Sequence, residues 1–187
     1  MNYPKPYFKG LPKCGDLELD YIFVELECPI LFTCRDLENN IYLCICCDII
    51  DEQRWIVAPI KPKDLIRLID NQLTFYDFYK NAKQIYKIIW KKGYKTEKVY
   101  DSSFSECVGD IPPKGEYLDS EIGEFDDYVD EIKDLIKRDS MSKEYFGSTE
   151  YKLMFFYPLT KKTRLPCANA QKHTISYDEG GYSWRSI

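Results

Sequence analysis

The chain has 187 residues, 44% of them apolar, and a formal net charge of −5. That length and composition permit one large core and exclude a wholly disordered chain, while the acidic balance disfavours nucleic-acid binding through the surface as a whole. Its apolar stretches, such as 41–47, are far shorter than the roughly 20 residues of a membrane-spanning helix, and the first eleven residues lack the apolar segment of a secretion signal, so a cytoplasmic protein is expected.

Residues 1–19 are punctuated by Pro4, Pro6, Gly10, Pro12 and Gly15 and read as irregular. From 21 to 28 the pattern alternates, with Ile22, Val24, Leu26 and Cys28 on one side and Tyr21, Phe23, Glu25 and Glu27 on the other. This predicts a strand with one buried face, ending in a bend at Pro29. Strands at 30–35, 41–50 and 54–60 follow, joined by polar turns at 36–40 and 51–53. The 41–50 run is apolar on both sides except for Asp48, the signature of a central strand covered twice. Short connections between neighbouring strands make the pairing antiparallel.

Pro62 opens a short helix carrying Leu65, Ile66, Leu68 and Ile69, since proline suits a first helical turn. Thr74, with Asp77 three residues on, predicts a capped second helix to about residue 80. Residues 84–91 and 94–100 read as a second hairpin turning at Lys92-Gly93. Pro112, Pro113 and Gly115 keep 102–119 a loop. Phe125, Tyr128, Val129, Ile132, Leu135 and Ile136 form one apolar stripe on a helix over 124–138. Asp126 and Asp127 in its first turn and Lys137 and Arg138 in its last suit the helix dipole. A final strand is expected at 151–157. The whole is an α+β fold: a mainly antiparallel, twisted sheet of about six strands, with short helices and the 124–138 helix packed on one face. Residues 1–19 form an irregular lead-in, 20–158 a single domain, and 159–187 a polar tail expected to be partly unstructured.

One resemblance covers residues 20–119. Pro29-Ile30-Leu31-Phe32-Thr33-Cys34, the hairpin to Tyr42-Leu43, Arg54-Trp55-Ile56, Asp64-Leu65-Ile66 and Leu73-Thr74-Phe75 resemble the layout of an uncharacterised bacterial and phage domain family, as does the loop Ile111-Pro112-Pro113 before Tyr117-Leu118. These are structural motifs. The resemblance implies a strand-rich fold and a bacterial or phage source, and it carries over no functional residue.

Catalytic motifs are lacking: the sequence contains no phosphate-binding glycine loop, no nucleophile elbow and no zinc-protease helix signature. His173 is the single histidine, in a polar stretch, and would have to meet Cys34, Cys107 or Cys167 in space to form a catalytic pair. The eight cysteines are Cys14, Cys28, Cys34, Cys44, Cys46, Cys47, Cys107 and Cys167. On a strand, Cys44 and Cys46 face one way and Cys47 the other, so a metal would need further thiolates from Cys34 or Cys28. Reduced core cysteines are the expectation, with no cofactor and no bound metal. Asp48, a carboxylate in an apolar strand, must find a partner or shift its pKa.

Charge is the most informative feature. Residues 116–139 carry a net −7 and residues 80–98 a net +6. Three functions are therefore expected, in descending order. The first is a non-enzymatic protein-binding regulator or inhibitor of a bacterial or phage system. It would meet a basic partner through Glu124, Asp126, Asp127, Asp130, Glu131 and Asp134 on the polar side of the helix. The second is single-stranded nucleic-acid binding through Lys87, Trp90, Lys91, Lys92, Tyr94 and Lys95, where bases interleave with aromatics. The third is a cysteine- or metal-dependent enzyme.

Overall fold

The structure, a computed structural model, describes residues 3–49, 52–91, 95–145, 176–178 and 181–183. Seven strands form one antiparallel meander in chain order: β1 (Phe8–Leu11), β2 (Gly15–Glu25), β3 (Pro29–Arg35), β4 (Ile41–Asp48), β5 (Gln53–Ile60), β6 (Ile85–Lys91) and β7 (Lys95–Ser102). The sheet curls until β1 lies beside β7, giving a nearly closed barrel. Three register shifts along the 11-residue β2 supply part of that curvature, because each irregularity bends and further twists its strand. Four helices complete the main body: α1 (Pro62–Ile69), α2 (Phe75–Asn81), the single turn α3 (Phe104–Cys107) and α4 (Asp126–Tyr145). A separate two-stranded hairpin joins β8 (Ser176–Asp178) to β9 (Gly181–Ser183). The expected strand at 151–157 lies outside the described residues.

The sheet is larger than the expected six strands because β1 and the first half of β2 arise from the segment read as irregular. Gly10 and Lys13 have positive φ, 63° and 70°, and the register shifts within the β1–β2 pairing. Phe8 and Leu11 are both buried although three positions apart, so the period-two signal that marks a strand is lost there.

Each face of the sheet has its own core. Tyr7, Phe8, Leu17, Phe32, Cys34, Cys44, Trp55, Val57, Tyr86, Ile88 and Trp90 fill the concave interior. Leu31, Leu43, Ile45, Ile56, Ala58 and Ile60 face outward and are covered by Leu65 and Leu68 of α1, Phe78 and Tyr79 of α2, and Tyr128, Val129 and Ile132 of α4. Strands β3, β4 and β5 are therefore buried on both sides, which explains their unbroken apolar runs. Strand β2 departs from its one-faced reading. Tyr21 stacks on Tyr128 with ring centroids 4.2 Å apart, and Phe23 meets Phe125 edge-on at 5.2 Å, while Leu19 and Ile22 pack against the interior. Both of its sides are used.

Local signals set the helix ends. Pro62 stands in the first turn of α1. The Thr74 side chain accepts the Asp77 backbone N–H at 3.0 Å and starts α2. Ser103 and Glu106 make a reciprocal cap on α3, an element inside the segment expected to be loop.

Candidate functional site

The acidic segment is held in place from its start. The Asn71 side chain, extending from the α1–α2 corner, donates to the Ser120 carbonyl at 3.0 Å and accepts the Asp119 backbone N–H at 2.9 Å. Phe75 donates its backbone N–H to the Glu116 carbonyl at 3.2 Å. Glu124 precedes the helix rather than lying within it, and its carboxylate takes the Glu121 backbone N–H at 3.0 Å. Phe125, Tyr128, Val129 and Ile132 then anchor the buried side of α4. Asp119, Glu121, Glu124, Asp126, Asp127, Asp130 and Asp134 are left on the exposed side.

Not every expected residue serves that surface. Asp130 pairs with Lys133 at 3.3 Å and Asp134 with Lys137 at 3.2 Å, within-helix contacts worth only a few tenths of a kcal/mol at about 0.3–0.5 each. Glu131 is a correction. It turns toward the sheet and lies 3.3 Å from the Arg35 guanidinium, so it braces the helix against β3. Asp119, Glu121, Glu124, Asp126 and Asp127 have no basic group within ion-pair distance among the described residues.

Arg35 belongs to a polar cluster that the sequence did not disclose. Its Nε lies 2.9 Å from Asp20 Oδ2, an ionic contact rather than a well-aligned hydrogen bond. Tyr128 donates its one hydroxyl proton to Asp20 at 2.7 Å, so the 2.8 Å contact with Thr33 is donated by Thr33. Burial and the Asp20 charge push the Tyr128 hydroxyl pKa well above its ordinary value. A hydrogen-bonded cluster of this kind fixes the position of α4 on the sheet. The sequence signal was slight: Arg35 is the one charge on β3, and Asp20 is one of four acids on β2. A second ionic group joins Asp48 to Arg54 at 2.7 Å and Lys87 to Asp110 at 2.6 Å, with Arg54 and Asp110 3.9 Å apart. Asp48 thus finds the partner its position demanded.

The basic and aromatic residues do not assemble as a stacking surface. Trp90 is 1% exposed and sits in the interior against Trp55, with ring centroids 4.5 Å apart, so it offers no face to a base. That corrects its reading as a contact residue. Lys87 is committed to Asp110. Lys91 and Lys95 occupy paired positions on β6 and β7, and Lys92 and Tyr94 lie outside the described residues.

The cysteines divide by strand geometry. Cys28, Cys34, Cys44 and Cys46 are buried in the interior, whereas Cys47 packs with the opposite core. All seven described cysteines are free thiols. Cys34 neighbours Cys44 and Cys28 neighbours Cys46, while the Cys44 and Cys46 thiols donate to the Tyr42 and Asp48 carbonyls at 3.7 and 3.5 Å. Burial pushes the Cys34 and Cys47 thiols up, which holds them protonated. The Tyr7 hydroxyl and the Trp55 indole N–H, also in the interior, have no hydrogen-bond partner among the described residues. No group of three or more His, Cys, Asp or Glu among the described residues is arranged to hold a metal ion, and none of the described helices is long and apolar enough to cross a membrane. Cys167 and His173 lie outside the described residues.

No protein-family model, curated protein or solved structure matches this chain, so a functional reading rests on the geometry alone.

Proposed function

We propose that this protein is a non-catalytic binding module that presents a fixed carboxylate surface, residues 119–134, to a protein partner with a basic face. The observation that carries this reading is the set of five exposed carboxylates on Asp119, Glu121, Glu124, Asp126 and Asp127 that have no ion-pair partner among the described residues. Five like charges on one short segment repel one another, and Asn71 and the aromatic anchors of α4 hold them together nonetheless. A lysine- or arginine-rich partner would relieve that repulsion, and such complementarity raises association rate and selectivity more than bare affinity. Regulation or inhibition through occupancy is the role that fits a surface without a reacting group.

Carbodiimide cross-linking in extract from the source cell tests this, because it joins a carboxylate only to an amine in direct contact. Cross-links to one partner should map to 119–134, and coupling should fall steeply with added salt. A variant with Glu121→Gln, Glu124→Gln, Asp126→Asn and Asp127→Asn should lose that partner at least tenfold while melting at a similar temperature. Equal cross-linking of the same partner by the neutralised variant would overturn the reading.

A further inference from the structure

The interior holds two neighbouring thiol pairs that differ in how tightly their backbones are held. Cys34 and Cys44 both sit within paired strands: Cys34 opposes Leu19 and Tyr42, and Cys44 opposes Phe32 and Val57. Both are 0% exposed. The other pair stands at the rim. Cys28 precedes the first residue of β3 and lies in the β2–β3 turn, where its carbonyl accepts the Leu26 backbone N–H at 3.1 Å. Cys46 borders a register shift in the β4–β5 pairing. The β3–β4 pairing ends with Leu31 opposite Ile45; continuing that register by one residue brings Cys46 toward Ile30, two residues from Cys28 in the same interior cluster, a separation that cross-strand side chains can span. These two retain 3% and 7% exposure.

From this placement we infer that Cys28 and Cys46 form an oxidisable dithiol, which a small hydroperoxide converts to a disulfide linking the β2–β3 turn to β4. The chemistry balances without a metal. The Cys28 thiolate attacks one peroxide oxygen; an S–O bond forms, the O–O bond breaks, and the departing oxygen leaves as water or an alcohol after taking a proton. The resulting sulfenic acid is attacked by the Cys46 sulfur. An S–S bond forms, the S–O bond breaks, and hydroxide leaves as water with the Cys46 proton. The two thiols supply the two electrons that reduce the peroxide.

Two features favour this order of events. The neighbouring Cys46 holds the Cys28 thiol below its ordinary pKa, whereas the Cys46 thiol, which donates to the Asp48 carbonyl at 3.5 Å, is pushed up. The thiolate is the reactive form, so Cys28 is the attacking member and Cys46 the resolving one. A disulfide also needs its Cβ atoms roughly 3.5–4.5 Å apart. A turn residue and a residue beside a strand irregularity can close to that distance, whereas two residues fixed in regular ladders cannot do so without breaking backbone pairing.

Hydrogen peroxide treatment of the full chain, followed by alkylation under denaturing conditions and peptide mass spectrometry, tests the inference. The expected product is a Cys28–Cys46 linked peptide pair, about 2 Da lighter than the two thiol peptides, with Cys34 and Cys44 recovered as alkylated thiols. In Cys47→Ala the same link should persist, which separates Cys46 from its neighbour. In Cys46→Ser, Cys28 should be trapped by dimedone as a sulfenic acid. Recovery of Cys28 and Cys46 as thiols at peroxide doses that oxidise the half-buried Cys14 would overturn the inference. So would a Cys34–Cys44 link forming first, or the absence of a dimedone adduct on Cys28 in Cys46→Ser.

Discussion

Tyr7 and Tyr128 are both essentially buried tyrosines on opposite faces of one sheet, and their hydroxyls meet opposite fates. Tyr128, on the helix-covered face, donates to Asp20 and accepts from Thr33. Tyr7, in the interior, has no partner among the described residues and is surrounded instead by the Cys28, Cys34, Cys44 and Cys46 thiols. The helix-covered face therefore uses directional polar contacts to position α4, while around Tyr7 the interior relies on shape and aromatic packing. A buried hydroxyl adds stability where it is paired and subtracts it where it is not.

The largest effect expected from testing that contrast is in the interior. Trp55 is wholly buried against Phe8 and Trp90, so Trp55→Ala should lose about 4 kcal/mol in urea unfolding. Next comes the ionic cluster. Arg35→Ala leaves Asp20 and Glu131 without their cation and should cost about 3 kcal/mol, with the additional sign of faster hydrogen exchange along α4. If Arg35→Ala proved neutral, the cluster would not be what seats the helix.

Alkaline pH should report on the buried thiols of both faces, Cys34 in the interior and Cys47 on the other side. Cys34 has a folded pKa raised above its ordinary 9.0 by burial. Its contribution is present below that value and is lost as pH rises, because above it the unfolded chain releases a proton that the native chain keeps. Each such thiol costs about 1.4 kcal/mol per pH unit above that point, so Cys34→Ala should flatten the decline in melting temperature between pH 9 and 11. The smallest effects come from the two tyrosines themselves. Tyr128→Phe should destabilise by about 1 kcal/mol, and Tyr7→Phe should be neutral or stabilising by up to about 1 kcal/mol. Equal losses from both would erase the distinction between the two faces.

Much of the sheet was legible because β3, β4 and β5 are apolar on both sides and their turns are short. Thr74 and Asp77 likewise announced α2 through a contact spanning three residues. What escaped was non-local. The strand at Phe8–Leu11 lost its alternation to the positive-φ Gly10. Glu131 looked like one more solvated acid of a charged helix until Arg35, 96 positions away, was placed beneath it. Trp90 looked like a base-stacking residue because lysines surround it in sequence, yet alternation along β6 turns it inward and sends Lys87 to the opposite face. Charge counts along a sequence mix residues from two sides of a strand, and only three-dimensional placement separates them.

The seam between β1 and β7 has a consequence for how the barrel opens. These strands are adjacent, but no backbone ladder joins them among the described residues. Side chains fasten the gap instead: Lys13 reaches Gln84 at 2.9 Å and Asp101 at 3.6 Å, and the Tyr86 hydroxyl donates to the Pro12 carbonyl at 2.6 Å. A clasp made of a few side-chain contacts, those of Lys13 exposed and that of Tyr86 part-buried, yields before a ladder of buried ones. Solvent should therefore enter the barrel along this line first, with β1 swinging out as a flap while β3, β4 and β5 stay zipped.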